Sequence, residues 1–111
     1  MLDKKERTLE RYMRAGAGMR LYRELGTRLA MDISEVLPAA DTDRLLRAMD
    51  KIDRVCTVAE DNMFKDHPGI SNEYLDVFYG AIDGEPRNEV DRKVIRMARE
   101  AADGLFKGKG D

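Results

Sequence analysis

The sequence predicts an all-α protein, a four-helix bundle with a long N-terminal helix. Three observations carry that expectation. Apolar residues recur at alternating spacings of three and four along most of the chain, and no stretch alternates at period two. Proline is scarce, with 3 residues, and each falls between periodic segments. Aromatic content is only 6% with no Trp, whereas Met numbers 7, a composition suited to helices packed through flexible aliphatic side chains. The 111 residues are enough for one domain with its own core. The domain is read as residues 1–111, with 1–15 as a projecting N-terminal helical arm and 107–111 as a frayed tail.

The first helical segment is expected over residues 3–37. Asp3 followed by Glu6 has the spacing of a capping box ahead of Leu9. Pro38 ends the segment, because the residue before proline resists helical backbone angles. Within it, the stretch RAGAGMRLYRELG holds Gly16, Gly18 and Gly26. Each interior Gly costs a helix roughly 1 kcal/mol relative to Ala, so the cluster calls for a reason. One apolar seam reads Leu9, Tyr12, Gly16, Met19. A second reads Ala15, Gly18, Tyr22, Leu25, Leu29, Ile33, Val36. At about 100° per residue the two seams are offset by roughly 100°, so one straight groove cannot receive both. Either the helix breaks between Gly16 and Gly18, giving five helices, or it runs through and its halves face different neighbours. In the second case Ala15, Gly18 and Gly26 permit close approach of another backbone.

The second helix should start at Asp41 or Thr42 and stop near Asp66, ahead of Pro68 and Gly69. Its seam is Leu45, Met49, Ile52, Cys56, Ala59, Met63, able to pack like a coiled coil. Asp50 with Arg54 and Asp61 with Lys65 support its outer surface. A short third helix is expected from a Ser71 or Asn72 cap to the Asp83-Gly84 turn, with Leu75, Phe78, Tyr79 and Ile82 as its apolar face. The fourth should begin near Pro86, with Val90, Val94, Met97, Ala101 and Leu105 facing inward.

Charge and motif content narrow the function. Net charge is -2, but residues 1–30 carry eight Lys/Arg against four acids, a net of +4, and the remaining 81 residues net -6. Such asymmetry suits an anionic partner, or one half of the molecule docking on the other. The start of the chain is charged, and no apolar run approaches 18 residues, so neither a secretory signal nor a membrane span is expected. A single Cys excludes an intrachain disulfide, and a reducing cytoplasm is the expected location. No phosphate loop or zinc spacing is present, and no Ser-His-Asp set can be assembled except around the one loop histidine, His67. Cys56 lies on an apolar seam without a nearby base, and the lone His67 sits in a Pro-Gly turn. The di-iron bundles use Glu-x-x-His, and here Phe64 occupies the position three before His67. No enzymatic activity, metal or cofactor is therefore expected.

The expected function is a non-enzymatic helical protein–protein interaction module that self-associates as a homodimer. Leu9, Tyr12, Met13, Gly16 and Met19 are its candidate contact residues, since a projecting first helix leaves them the hardest to bury within one chain. The alternative is a nucleic-acid-binding or regulatory protein. Its candidate residues are Lys4, Arg7, Arg11 and Arg14, which form one basic stripe at three-four spacing. Phe64, Tyr74, Phe78 and Tyr79 form the main aromatic concentration, a candidate pocket or groove or the apolar end of the bundle.

Overall fold

The computed structural model describes residues 1–107. It is all-helical, but with three helices rather than four or five: α1 (Leu9–Val36), α2 (Ala39–Asp66) and α3 (Glu89–Lys107). The frayed tail expected from the sequence lies beyond residue 107, outside the described residues, apart from Lys107, which ends α3.

α1 runs unbroken through Gly16, Gly18 and Gly26, about 42 Å at 1.5 Å per residue. It starts six residues later than the sequence suggests. Asp3 and Glu6 do form the reciprocal bonds of a capping box, each backbone N–H donating to the other side chain. Those bonds close a separate turn, and Thr8 is the helix cap, its hydroxyl accepting from the Arg11 amide. Residues 1–8 are therefore a capped turn and not part of a projecting helical arm. Pro38 ends α1 as expected, with Leu37 extended at φ -127°, ψ 159°.

Only Leu37 and Pro38 separate α1 from α2, which makes the pair a tight antiparallel hairpin. α2 begins at Ala39, two residues before the expected Asp41 or Thr42 cap. The Pro38 carbonyl takes the first amide bonds instead, from Asp41 and Thr42. Thr42 is inside the helix, and its buried hydroxyl finds no partner among the described residues. The α2 seam packs as its spacing predicts, with Cys56 and Met63 fully buried and Leu45, Met49, Ile52 and Ala59 half-buried.

The expected third helix is absent. Ser71 does cap, but it caps only a single 3-10 turn, Asn72–Tyr74, beyond which the chain runs in successive turns. The physical reason lies in α1. The carbonyls of Asp76, Val77 and Ala81 accept from the Arg20 guanidinium, and that of Phe78 accepts from Arg23. The Asp76 carbonyl also accepts from the Tyr79 and Gly80 amides, which closes one turn, but the Val77, Phe78 and Ala81 carbonyls are directed to the two arginines and do not extend that turn into a helix. The segment packs close enough to touch backbone. A Cβ at Gly16 would lie 2.5 Å from the Val77 carbonyl oxygen, and one at Gly80 would lie 2.5 Å from the Arg20 guanidinium carbon. Gly16 is thus required by a neighbour and not by a kink.

α3 begins three residues after Pro86. Asn88 caps it, its side chain accepting from the Asp91 amide at 2.8 Å. α2 and α3 each pack against α1. The core between them joins Tyr12, Met13 and Ala17 of α1 with Cys56, Met63, Val77, Phe78, Val90, Val94 and Ala98. The core belongs to the first half of α1. Asp91, near the start of α3, meets Arg20, and Met97 and Glu100 line a cleft with Glu10 and Arg14. α3 therefore runs back toward the start of α1, and the second half of α1 has α2 as its helical neighbour.

Candidate interaction surface

Tyr12 and Met13 are core residues at 8% and 4% exposure, Gly16 is buried, and Leu9 and Met19 pack against the same core. The monomer itself covers the seam that the sequence assigned to self-association. The ground for assigning it, that a single chain would not bury these five, does not hold.

The basic stripe divides. Arg7 is held by Asp66, its Nε and Nη2 donating to the two carboxylate oxygens at 2.6 and 3.0 Å. The Tyr12 hydroxyl donates to the same carboxylate, and Asn62 donates to Tyr12. The guanidinium first and the Tyr12 hydroxyl second hold the Asp66 carboxyl well below the usual carboxylate range. The same pairing raises Arg7, and burial pushes the Tyr12 phenol up. His67 Nε2 meets the Arg7 carbonyl oxygen at 2.7 Å, so the turn after α2 is tied to the start of α1. Arg7 is a structural residue, whereas Lys4, Arg11 and Arg14 are exposed.

The aromatic group does not converge on a pocket. Phe78 is buried, Phe64 and Tyr74 pack against the core, and Tyr79 is exposed. Arg23 stacks on the Tyr79 ring, its guanidinium carbon 5.2 Å from the centroid, and the Tyr79 and Thr57 hydroxyls are 2.6 Å apart. None of the three clefts described is lined by any of these four aromatics. The largest, of about 470 Å³, lies between the 84–86 turn and Arg92, Ile95, Arg96 and Arg99 on α3.

Two arginine–aspartate centres, missed in the sequence, hold the layers together. Arg20 is the larger. Its Nη1 donates to Asp91 at 2.7 Å and to the Ala81 carbonyl at 2.8 Å, and its side chain is wholly buried. Burial pushes the Asp91 carboxyl up, but the Arg87 amide and the Arg20 guanidinium outweigh it and leave the group below its usual value. Arg20 lies on the same helix face as Gly16, Ala17 and Met13, and an arginine on a buried face is the signal that could have revealed the pair. Cys56 sits beside this region, its thiol near the Phe78 carbonyl, and burial raises its pKa.

Part of the apolar surface left exposed is the second seam of α1, beside single residues such as Val55, Val58, Leu75 and Leu105 elsewhere. Ala15, Gly18, Tyr22, Leu25, Leu29 and Val36 are exposed and Ile33 is half-buried. Leu25, Leu29 and Val36 expose 53%, 48% and 73% of their surface. A further shallow apolar cleft, lined by Arg7, Arg11, Tyr12 and Ala15, extends this stripe toward the start of the helix. Isolated exposed leucines are ordinary, but a run at three-four spacing along a whole helix is a contiguous face. Among the described residues no helix is long and apolar enough to cross a membrane, and no group of three or more His, Cys, Asp or Glu is placed to hold a metal ion. No protein-family model matches the chain, and no curated protein or solved structure matches it either.

Proposed function

We propose that the protein is a helical interaction module that self-associates, and that the contact face is the second seam of α1 and not the first. The carrying observation is the exposed run Ala15, Gly18, Tyr22, Leu25, Leu29 and Val36. A helix stripe of this kind is the form in which helices pair with one another. Light scattering coupled to size-exclusion chromatography tests it. The expected mass is twice the 12.7 kDa protomer. The double change Leu25→Glu and Leu29→Glu should return a folded monomer, since both side chains are half-exposed already. A wild-type mass of one protomer at high concentration refutes the proposal.

A second reading, contact with an anionic partner such as nucleic acid, draws on the exposure of Lys4, Arg11 and Arg14. Its signature is affinity that falls steeply with salt and is lost in the Arg11→Glu, Arg14→Glu variant. Binding to a duplex or single-stranded oligonucleotide that is insensitive to both removes it.

A further inference from the structure

Resting on the self-association reading, we infer the geometry of the pair. Two copies meet antiparallel, about a two-fold axis between Tyr22 and Leu25, with Leu29 of each seated over Gly18 of the other. The stripe is asymmetric along its length. Its first half is small, Ala15 and Gly18, and a Cβ built at Gly18 meets nothing within 4 Å. Its second half is large, Leu25 and Leu29, and both protrude. An antiparallel pair sets the large half of each copy on the small half of the other. A parallel pair would set Gly18 on Gly18 and leave a gap, while Leu29 met Leu29.

Charge favours the same arrangement. The early half of this face carries Arg11 and Arg14, the late half is edged by Asp32, and all three are exposed. None of them makes an ion pair among the described residues. Antiparallel pairing brings Arg14 of one copy beside Asp32 of the other, whereas parallel pairing would oppose like charges.

The face is also wide enough. Segment 76–81 lies against Gly16 and Arg20 on α1 and against Cys56 and Thr57 on α2. The α1 stripe turns away from it, and so does Val55, which flanks Cys56 on the side opposite Thr57. Val55, 65% exposed, and Ala48 two turns before it widen the stripe into a two-helix face. Two helices of about 10 Å width over residues 15–36 give roughly 600–700 Å² per copy, close to the share each partner contributes to a standard interface.

Disulfide trapping tests the register. In a Cys56→Ala background, which removes the single native thiol, Gly18→Cys and Leu29→Cys proteins are purified separately and oxidised alone and mixed. The expected result is a covalent dimer in the mixture and little in either alone, because like positions lie about 16 Å apart in the antiparallel register. Strong cross-linking of each protein alone overturns the antiparallel register. A second variant keeps the native Cys56. Gly18→Leu places its Cβ where no atom of the monomer lies within 4 Å, so the far-ultraviolet spectrum should be unchanged while the dimer dissociation constant rises at least tenfold. An unchanged constant in a protein that still dimerises overturns the seating of Leu29. A wild-type protein that scatters as a monomer fails the self-association reading itself.

Discussion

Arg20→Met removes the charge at the centre of the molecule while keeping much of the side-chain stem. In the wild type the Arg20 guanidinium donates to three carbonyls, those of Asp76, Val77 and Ala81, and to the Asp91 carboxylate, at 2.6 to 3.0 Å. The variant leaves the Asp91 carboxylate with the Arg87 amide but no guanidinium against it, and leaves the Val77 and Ala81 carbonyls facing a thioether, while the Asp76 carbonyl keeps the Tyr79 and Gly80 amides. Breaking one side of a buried ion pair costs about 3–5 kcal/mol. Each carbonyl stranded away from water adds about 1–3 kcal/mol, less where the 76–81 turns relax to admit water. A loss of about 4 kcal/mol or more is therefore expected, a large part of the roughly 5–15 kcal/mol of a typical domain. Urea unfolding followed by far-ultraviolet circular dichroism measures it, the chain having no Trp. Asp91→Asn keeps the three carbonyl bonds and should cost about half as much. Arg20→Lys should not rescue, since an ammonium cannot span the fork of acceptors. A loss below about 1 kcal/mol in Arg20→Met would refute the view that this guanidinium holds segment 76–81 on α1.

The glycines separate by environment. Gly16→Ala forces its methyl against the Val77 backbone and should lower the unfolding midpoint, while Gly18→Ala, in open space, should raise monomer stability by about 0.5–1 kcal/mol. Calorimetry on the two variants checks the opposite signs. Acid should destabilise the fold. Asp66 and Asp91 both have depressed carboxyl pKa values in the folded state, so between the folded values and about 4 the unfolded chain binds more protons. Their contribution is present above the unfolded value and declines as pH falls below it. Asp66→Asn should start from a lower melting temperature and show a shallower loss between pH 5 and pH 2 (about the carboxylate range) than wild type, and a parallel curve would refute this.

Much of the architecture is legible in single residues. The α2 seam, the stop at Pro38 and the cap at Ser71 all follow from local rules. So does the presence of two seams on α1, but not which of them the monomer buries. That depends on α3 and segment 76–81, which reach Gly16 and Arg20 from more than fifty residues away. The missing third helix fails for the same reason: Leu75, Phe78, Tyr79 and Ile82 have helical spacing, yet the carbonyls between them bond to Arg20 and Arg23. Two capping rules misled locally. Asp3 and Glu6 cap each other outside any helix. The second helix starts from Pro38, because a fixed proline φ and an available carbonyl serve where Asp41 or Thr42 would.

On the proposed self-association, the two seams also account for the length of α1. Its first half, as far as Arg20 and Arg23, is enclosed by α2, α3 and the 76–81 turns. Beyond Gly26, which lies against the end of Met49, α2 is the helical neighbour, and two helices alone leave much of each other's apolar surface in water. A helix built only to complete the core would end near residue 24. The chain instead continues for three more turns with Leu25, Leu29 and Val36 outward, and Met49 of α2 lies against the extension at Gly26. On the proposed self-association, stability and presentation fall on different faces of one rod. Changes at Tyr12, Met13 or Arg20 should act on folding, and changes at Leu25 or Leu29 on association. On that proposal the division accounts for the offset of the seams: a helix with a single seam would do only the first of these jobs.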